Sequence, residues 1–143
     1  MNPTIKFKKL NENAKIPTYA HEGDAGMDLY STEDKILLPG ERYLFKTGLA
    51  MELEKGFGFI IKDKSGLAHK HGLTTLGGVI EYTYRGEIGV ILLNTSKKEV
   101  FIEKHQKIAQ AIIIPIAFAK IEETKDLSKT TRGEGGFGST GKK

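Results

Sequence analysis

Apolar residues in this chain come in short runs, and glycines punctuate them. Gly40, Gly48, Gly56, Gly58, Gly66, Gly72, Gly77, Gly78, Gly86 and Gly89 all stand between clusters of β-branched, leucine or aromatic residues. Turn signals this dense leave room for short strands and little else. The spacing predicts strands over residues 5–10, 36–38, 42–53, 58–62, 73–80, 89–94, 100–103 and 108–114. Val90-Ile91-Leu92-Leu93 is apolar on both faces and should be central, whereas Arg42 to Lys46 alternates and should turn one face to water. No window of roughly 12 or more residues shows the apolar spacing of a helix. The best helical segment is 126–129, one turn at most. The expected fold is all-β, a sandwich, barrel or jelly roll.

The 143 residues suit one domain. There is no cysteine, which excludes disulfides, thiolate metal sites and cysteine nucleophiles. His69 and His71 flank Lys70 in a strand or loop and lack a third ligand nearby, a poor zinc site. The sequence contains neither a Walker loop nor a serine-hydrolase elbow. A formal net charge of +4 suits anionic small molecules as well as nucleic acid and decides neither. The longest apolar stretch, 108–118, is broken by Gln110 and Pro115, far short of the roughly 20 residues of a spanning helix. The N-terminus lacks the apolar core of a signal peptide. A soluble cytoplasmic protein with no membrane partner is the expectation.

Four clusters carry chemistry. Ala25-Gly26-Met27-Asp28-Leu29 places an acid near a glycine in a loop, where an aspartate can equally cap its own turn. Asp63-Lys64-Ser65-Gly66-Leu67-Ala68 sets a cation, a hydroxyl and a glycine after a strand, which suits an anion or an ordinary turn. Residues 77–87 read as a β-hairpin with Glu81 and Tyr84 at its bend, either a surface hairpin or a rim for a flat ligand. Gln110 lies inside an apolar strand, where it is satisfied internally or faces a ligand. After Ile121 apolar residues almost stop. The glycine-rich stretch Arg132 to Gly141 cannot bury enough area to order itself, yet an arginine, one phenylalanine and Gly-Ser-Thr are also what a phosphate-gripping lid requires.

Together, in this order, the clusters and the tail resemble the five motifs of the trimeric dUTPases. The resemblance runs from about Pro17 to Gly141: Ala25 to Ser31, Lys64 to Ala68, Gly78 to Glu87, Lys107 to Gln110, and Arg132 to Thr140. It implies a jelly-roll-like β-barrel over residues 1–124, with residues 125–143 as a flexible arm that closes the active site. It also implies a homotrimer with shared sites and no nucleic-acid partner. The implied reaction is hydrolysis of dUTP to dUMP and pyrophosphate, with Mg²⁺ and in-line water attack on the α-phosphorus. In that reading Glu81 is the base, and Asp28 acts through the metal's water shell or by bracing the site. Gly78, Ile80 and Gly89 hold uracil, and Tyr84 packs on deoxyribose. Lys64, Ser65, Gly66 and Gln110 hold phosphates. Phe137 stacks on uracil, while Arg132, Gly138, Ser139 and Thr140 close over the phosphates.

The chain departs from the family pattern in three places. Glu81 stands where the family normally has aspartate, and the extra methylene shifts the carboxylate by roughly 1 Å, enough to cost on the order of 100-fold in rate. Lys64 replaces an arginine and loses its bidentate fork. His105-Gln106-Lys107 replaces Gly-Asp-Arg. Glu81 and Lys64 keep open a non-catalytic or weakly active nucleotide-binding protein. dCTP deaminase, which shares the fold, is disfavoured because Ile91 stands where that family needs a glutamate.

Overall fold

The computed structural model describes residues 2–142. In chain order the elements are β1 (Ile5–Lys9), β2 (Gly26–Tyr30), β3 (Lys35–Leu37), β4 (Arg42–Lys46), β5 (Leu49–Leu53), β6 (Phe57–Lys62), α1 (Ser65–His71), β7 (Leu73–Leu76), β8 (Val79–Glu81), β9 (Gly89–Asn94), β10 (Val100–Ile102) and β11 (Lys107–Pro115). Among the described residues they form four antiparallel groups: β1-β5, β10-β3, β2-β11-β6-β8 and β4-β9-β7. No continuous ladder closes a barrel, but the all-β, jelly-roll-like architecture holds. The described residues contain no helix long and apolar enough to cross a membrane.

The core is built by period-two alternation. In β9, Val90, Leu92 and Asn94 are buried while Ile91 and Leu93 are only partly covered, and β9 is the central strand of its sheet. Buried Phe45, Phe59, Leu29, Leu37, Met51, Ile88, Ile102 and Ile108 join one cluster with Val90 and Leu92. Asn94 is fully buried and fully used: Nδ2 donates to Leu37 O (3.1 Å) and Lys98 O (2.8 Å), and Oδ1 accepts from Ser96 N and Oγ.

Several local expectations need correction. The single strand over 42–53 is two strands, because Gly48 adopts φ +69° and turns the chain between β4 and β5. The strand over 73–80 likewise breaks at Gly77 and Gly78 (φ +65° and +101°). That break removes the hairpin read over 77–87: β8 pairs with β6 and β9 pairs with β4 and β7, so this segment crosses between two sheets. Asp28 lies in strand β2 and not in a loop. The helix is α1, where His69 and His71 reside, and 126–129 is not helical. At seven residues α1 is too short to register as periodicity. It ends where Gly72 takes φ +67° and donates its N–H to Ala68 O.

Candidate active site

Strand register assembles the first site. Gln110 on β11 lies opposite Asp28 on β2 and, on its other side, opposite Lys62 at the end of β6. Cross-strand neighbours share a face, so the aspartate, the amide and the segment leaving β6 meet at one rim. There Asp28, Lys64, Ser65, Gly66 and Gln110 line a polar cavity of about 320 Å³. Gln110 Nε2 donates to Asp63 O at 2.8 Å. Its position depends on Gly26, since a Cβ there would fall 2.2 Å from Gln110 Oε1.

Asp28 is 2% exposed and carries two cations. Lys64 Nζ donates to Oδ1 at 2.6 Å, and Lys107 Nζ lies 2.7 Å from Oδ2. The Lys107 approach is off the hydrogen-bond direction, so Oδ2 is ion-paired without a well-aligned hydrogen bond. Burial pushes the Asp28 carboxyl up, but the two lysines outweigh it and hold it below the ordinary aspartate value. Asp28 in turn raises Lys107. Both ammonium groups remain partly open to solvent; Lys64 lines the cavity beside Asp28, and Asp24 lines it as well. The site residue that the sequence reading did not single out is Lys107. Its signal was the charge retained in the His105-Gln106-Lys107 replacement, and the register of β11 against Tyr30 brings it to Asp28.

The turn of that replacement is also kept. His105 takes φ +66°, the left-handed conformation a glycine adopts freely. Its N–H donates to Ser31 O at 2.8 Å, and its Nε2 lies 3.0 Å from Asn13 O.

A second cavity, about 290 Å³, is lined by Gly78, Ile80, Glu81, Tyr84 and Gly89 with apolar walls that include Leu44 and Ile91. Added Cβ atoms show why glycines stand here. At Gly78 one would lie 3.0 Å from Ile61 O, and at Gly89 2.5 Å from Leu44 Cδ1. The Tyr84 hydroxyl donates to Glu87 O (3.1 Å), which folds the ring over Gly86. Tyr84 N–H closes a turn onto Glu81 O (3.0 Å), and the Arg85 guanidinium braces it by donating to Tyr82 O and Tyr84 O. Among the described residues the exposed Glu81 carboxylate has no hydrogen bond or ion pair to hold it away from a ligand.

The two cavities share no lining residue. Asp28 and Glu81 stand on β2 and β8, the two edges of one four-stranded sheet. Through Gln110, Lys62 and Gly58 they are also offset four residues along the strands. That offset alone is roughly 13 Å, and the strand spacings bring the separation in a flat sheet to about 20 Å. Within one chain they cannot act on the same atom.

The arm residues join neither cavity. From Ala117 to Lys142 every residue except Gly135 is exposed. Arg132 Nε donates only to Gly135 O (2.8 Å), and Phe137 is fully exposed with φ +49°. Gly138, Ser139 and Thr140 lie in the same exposed segment.

The donors present do not make a resident Mg²⁺ site. Both Asp28 oxygens already face ammonium groups, and no three acidic or histidine side chains gather among the described residues. Such a site fits an ion that arrives already bound to phosphate oxygens and water.

Residues 12–141 match the family model described as dUTPase. Among curated proteins, the chain is 54% identical over 141 residues to the deoxyuridine 5'-triphosphate nucleotidohydrolase of Clostridium tetani, covering 97% of each chain. It is 53% identical to the protein of that name from Nautilia profundicola, covering 96% of this chain and 99% of the other. Among solved structures it superposes on Staphylococcus bacteriophage 80alpha dUTPase with dUpNHpp at a TM-score of 0.87, with 29% identity over 96% of this chain and 98% of that one. It also superposes on a variant dUTPase of phage phi11 of S. aureus, described as coordinating a structural Mg(II) ion. There the TM-score is 0.82, with 25% identity over 88% and 99% of the two chains.

Proposed function

Because this chain belongs to the dUTPase family, we propose that it hydrolyses dUTP to dUMP and pyrophosphate. The observation that carries the mechanism is the division of its chemistry between two cavities: one polar around Asp28 and Lys64, one with apolar walls around Tyr84 and Glu81. A nucleoside triphosphate has the same two halves. Since the halves are too far apart within one chain, a working centre takes its polar cavity from one copy and its apolar cavity from another. This supports an assembly of more than one copy with shared sites, which in this family is a homotrimer.

In the apolar cavity, backbone groups near Gly78 and Gly89 receive the uracil edge and Ile80 contributes to the wall. Cytosine, with donor and acceptor exchanged, is rejected there. Tyr84, held down by Glu87 O, covers the deoxyribose and leaves no space for a 2′-hydroxyl. In the polar cavity Lys64, Ser65, Gly66 and Gln110 hold the phosphates. Asp28 fixes both lysine ammoniums in place, and any contact it has with the substrate's metal runs through water. Mg²⁺ held by the triphosphate would supply charge neutralisation there. Glu81 accepts a proton from the water that attacks the α-phosphorus in line. The arm, residues 125–143, closes over the bound nucleotide, with Phe137 on uracil and Arg132, Gly138, Ser139 and Thr140 on the phosphates. The protein acts in the cytoplasm, without a nucleic-acid or membrane partner.

Glu81 in place of aspartate also favours a second reading, a nucleotide-binding protein of little or no turnover. Pyrophosphate release from dUTP with Mg²⁺ present separates the two. Steady release with dUMP as the other product supports the enzyme, and tight binding without release supports the alternative.

A further inference from the structure

Asp63 leaves the end of β6 and directly precedes Lys64, yet its carboxylate turns away from the cavity. Thr74 Oγ1 donates to Oδ2 at 2.7 Å, while Thr75 N–H and Thr75 Oγ1 donate to Oδ1 at 2.7 and 2.5 Å. Its carbonyl oxygen accepts Gln110 Nε2 at 2.8 Å. One residue thus joins β6 through the chain, β7 through its carboxylate and β11 through its carbonyl.

The segment that follows is thinly held. None of the residues of α1 is buried, and Lys64, at its start, makes no side-chain cap. The far end is tied by Gly72, whose carbonyl accepts from Thr95 N–H and Oγ1. Few contacts therefore set where residues 64–66 point: the anchors at the two ends, the ion pair of Lys64 with Asp28, and the partly covered Leu67 against the core. A loosely held segment loses affinity for a multiply charged ligand, because ordering its donors must then be offset by binding.

Building on the dUTP reading, we infer that Asp63 is a positioning residue for the phosphate grip, fixing residues 64–66 and Gln110 in one arrangement before substrate arrives. It touches no substrate. Burial raises the Asp63 carboxyl, but hydrogen bonds from Thr75 and Thr74 outweigh this and hold it below the ordinary value, so it is an ionised acceptor at neutral pH.

The test compares two ligands that differ in phosphate content, dUpNHpp with Mg²⁺ and deoxyuridine, on the full chain. Asp63→Ala should weaken dUpNHpp binding about tenfold, the scale of one lost charged hydrogen bond, and leave deoxyuridine binding unchanged. Asp63→Asn keeps an acceptor for Thr75 N–H and should fall between the wild type and Asp63→Ala. Thr75→Val, which removes one hydroxyl donor, should show the same phosphate-selective loss at smaller size if Asp63→Ala does not fold. Equal losses for both ligands, or no loss in any variant, would overturn the role of Asp63 and leave the dUTP reading standing. Failure of the wild-type protein to bind dUpNHpp would overturn both.

Discussion

The ammonium of Lys64 lies 2.6 Å from Oδ1 of Asp28, a carboxylate that is 2% exposed. Without Lys64 and Lys107 that carboxylate would be a buried, unpaired charge, and without it the lysines would have no fixed address. Asp28→Asn should therefore destabilise the fold at neutral pH. Breaking a buried pair costs about 3–5 kcal/mol, and partial exposure of both lysines should reduce this to about 2 kcal/mol. The folded carboxyl titrates below its unfolded value. Its contribution is therefore complete above about pH 4 and is lost as the pH falls through the folded value. Urea titrations of both proteins should show a gap at pH 7 that narrows toward pH 3; a gap independent of pH would contradict the ion-pair account.

His105 holds a left-handed backbone at φ +66°. The conformation costs an L-residue about 1–2 kcal/mol, less for histidine, and a glycine pays it back in unfolded-state entropy only in part. His105→Gly should raise stability by about 0.5–1 kcal/mol with dUTP turnover unchanged. Thermal unfolding checks this, and a lowered midpoint would mean that the contact between Nε2 and Asn13 O outweighs the strain.

The all-β class and most strands were legible because glycines and alternation mark them directly. What escaped depended on partners distant in sequence. Asp28 looked like a loop residue because β2 is covered on both faces and shows no alternation. The bend at 77–87 reads as a hairpin because its two halves are near in sequence, and only pairing with β6 and β4 separates them. The fourth cluster showed Gln110 as an amide in an apolar strand, but the ion pair of Lys107 needed the β2–β11 register to be seen.

Tyr84 is 43% exposed with its hydroxyl tied to Glu87 O. Tyr84→Ala should let UTP compete better, lowering the ratio of kcat/KM for dUTP over UTP, whereas Tyr84→Phe, which keeps the ring, should largely preserve it. An unchanged ratio in the alanine variant would remove Tyr84 from sugar selection.

Residues 132–142 bury almost nothing in the chain, so ending the protein at Thr131 should leave its unfolding temperature unchanged. Turnover of dUTP should fall by roughly 100-fold, the scale of a lost positioning contribution. Full activity in the shortened protein would show that this segment does not close the site.

The central claim is that Glu81, an exposed carboxylate on the wall of the second cavity, is the base for water attack. Steady-state turnover of dUTP at saturating Mg²⁺ by Glu81→Gln and Glu81→Asp tests it most directly. The glutamine variant should still bind dUpNHpp and lose roughly 100- to 10,000-fold in kcat, since an amide cannot accept the water's proton. The aspartate variant should turn over faster than the wild type, because the flanking Gly78 to Ile80 and Tyr84 to Gly86 match the family pattern that goes with aspartate. A glutamine variant as active as the wild type would contradict the account.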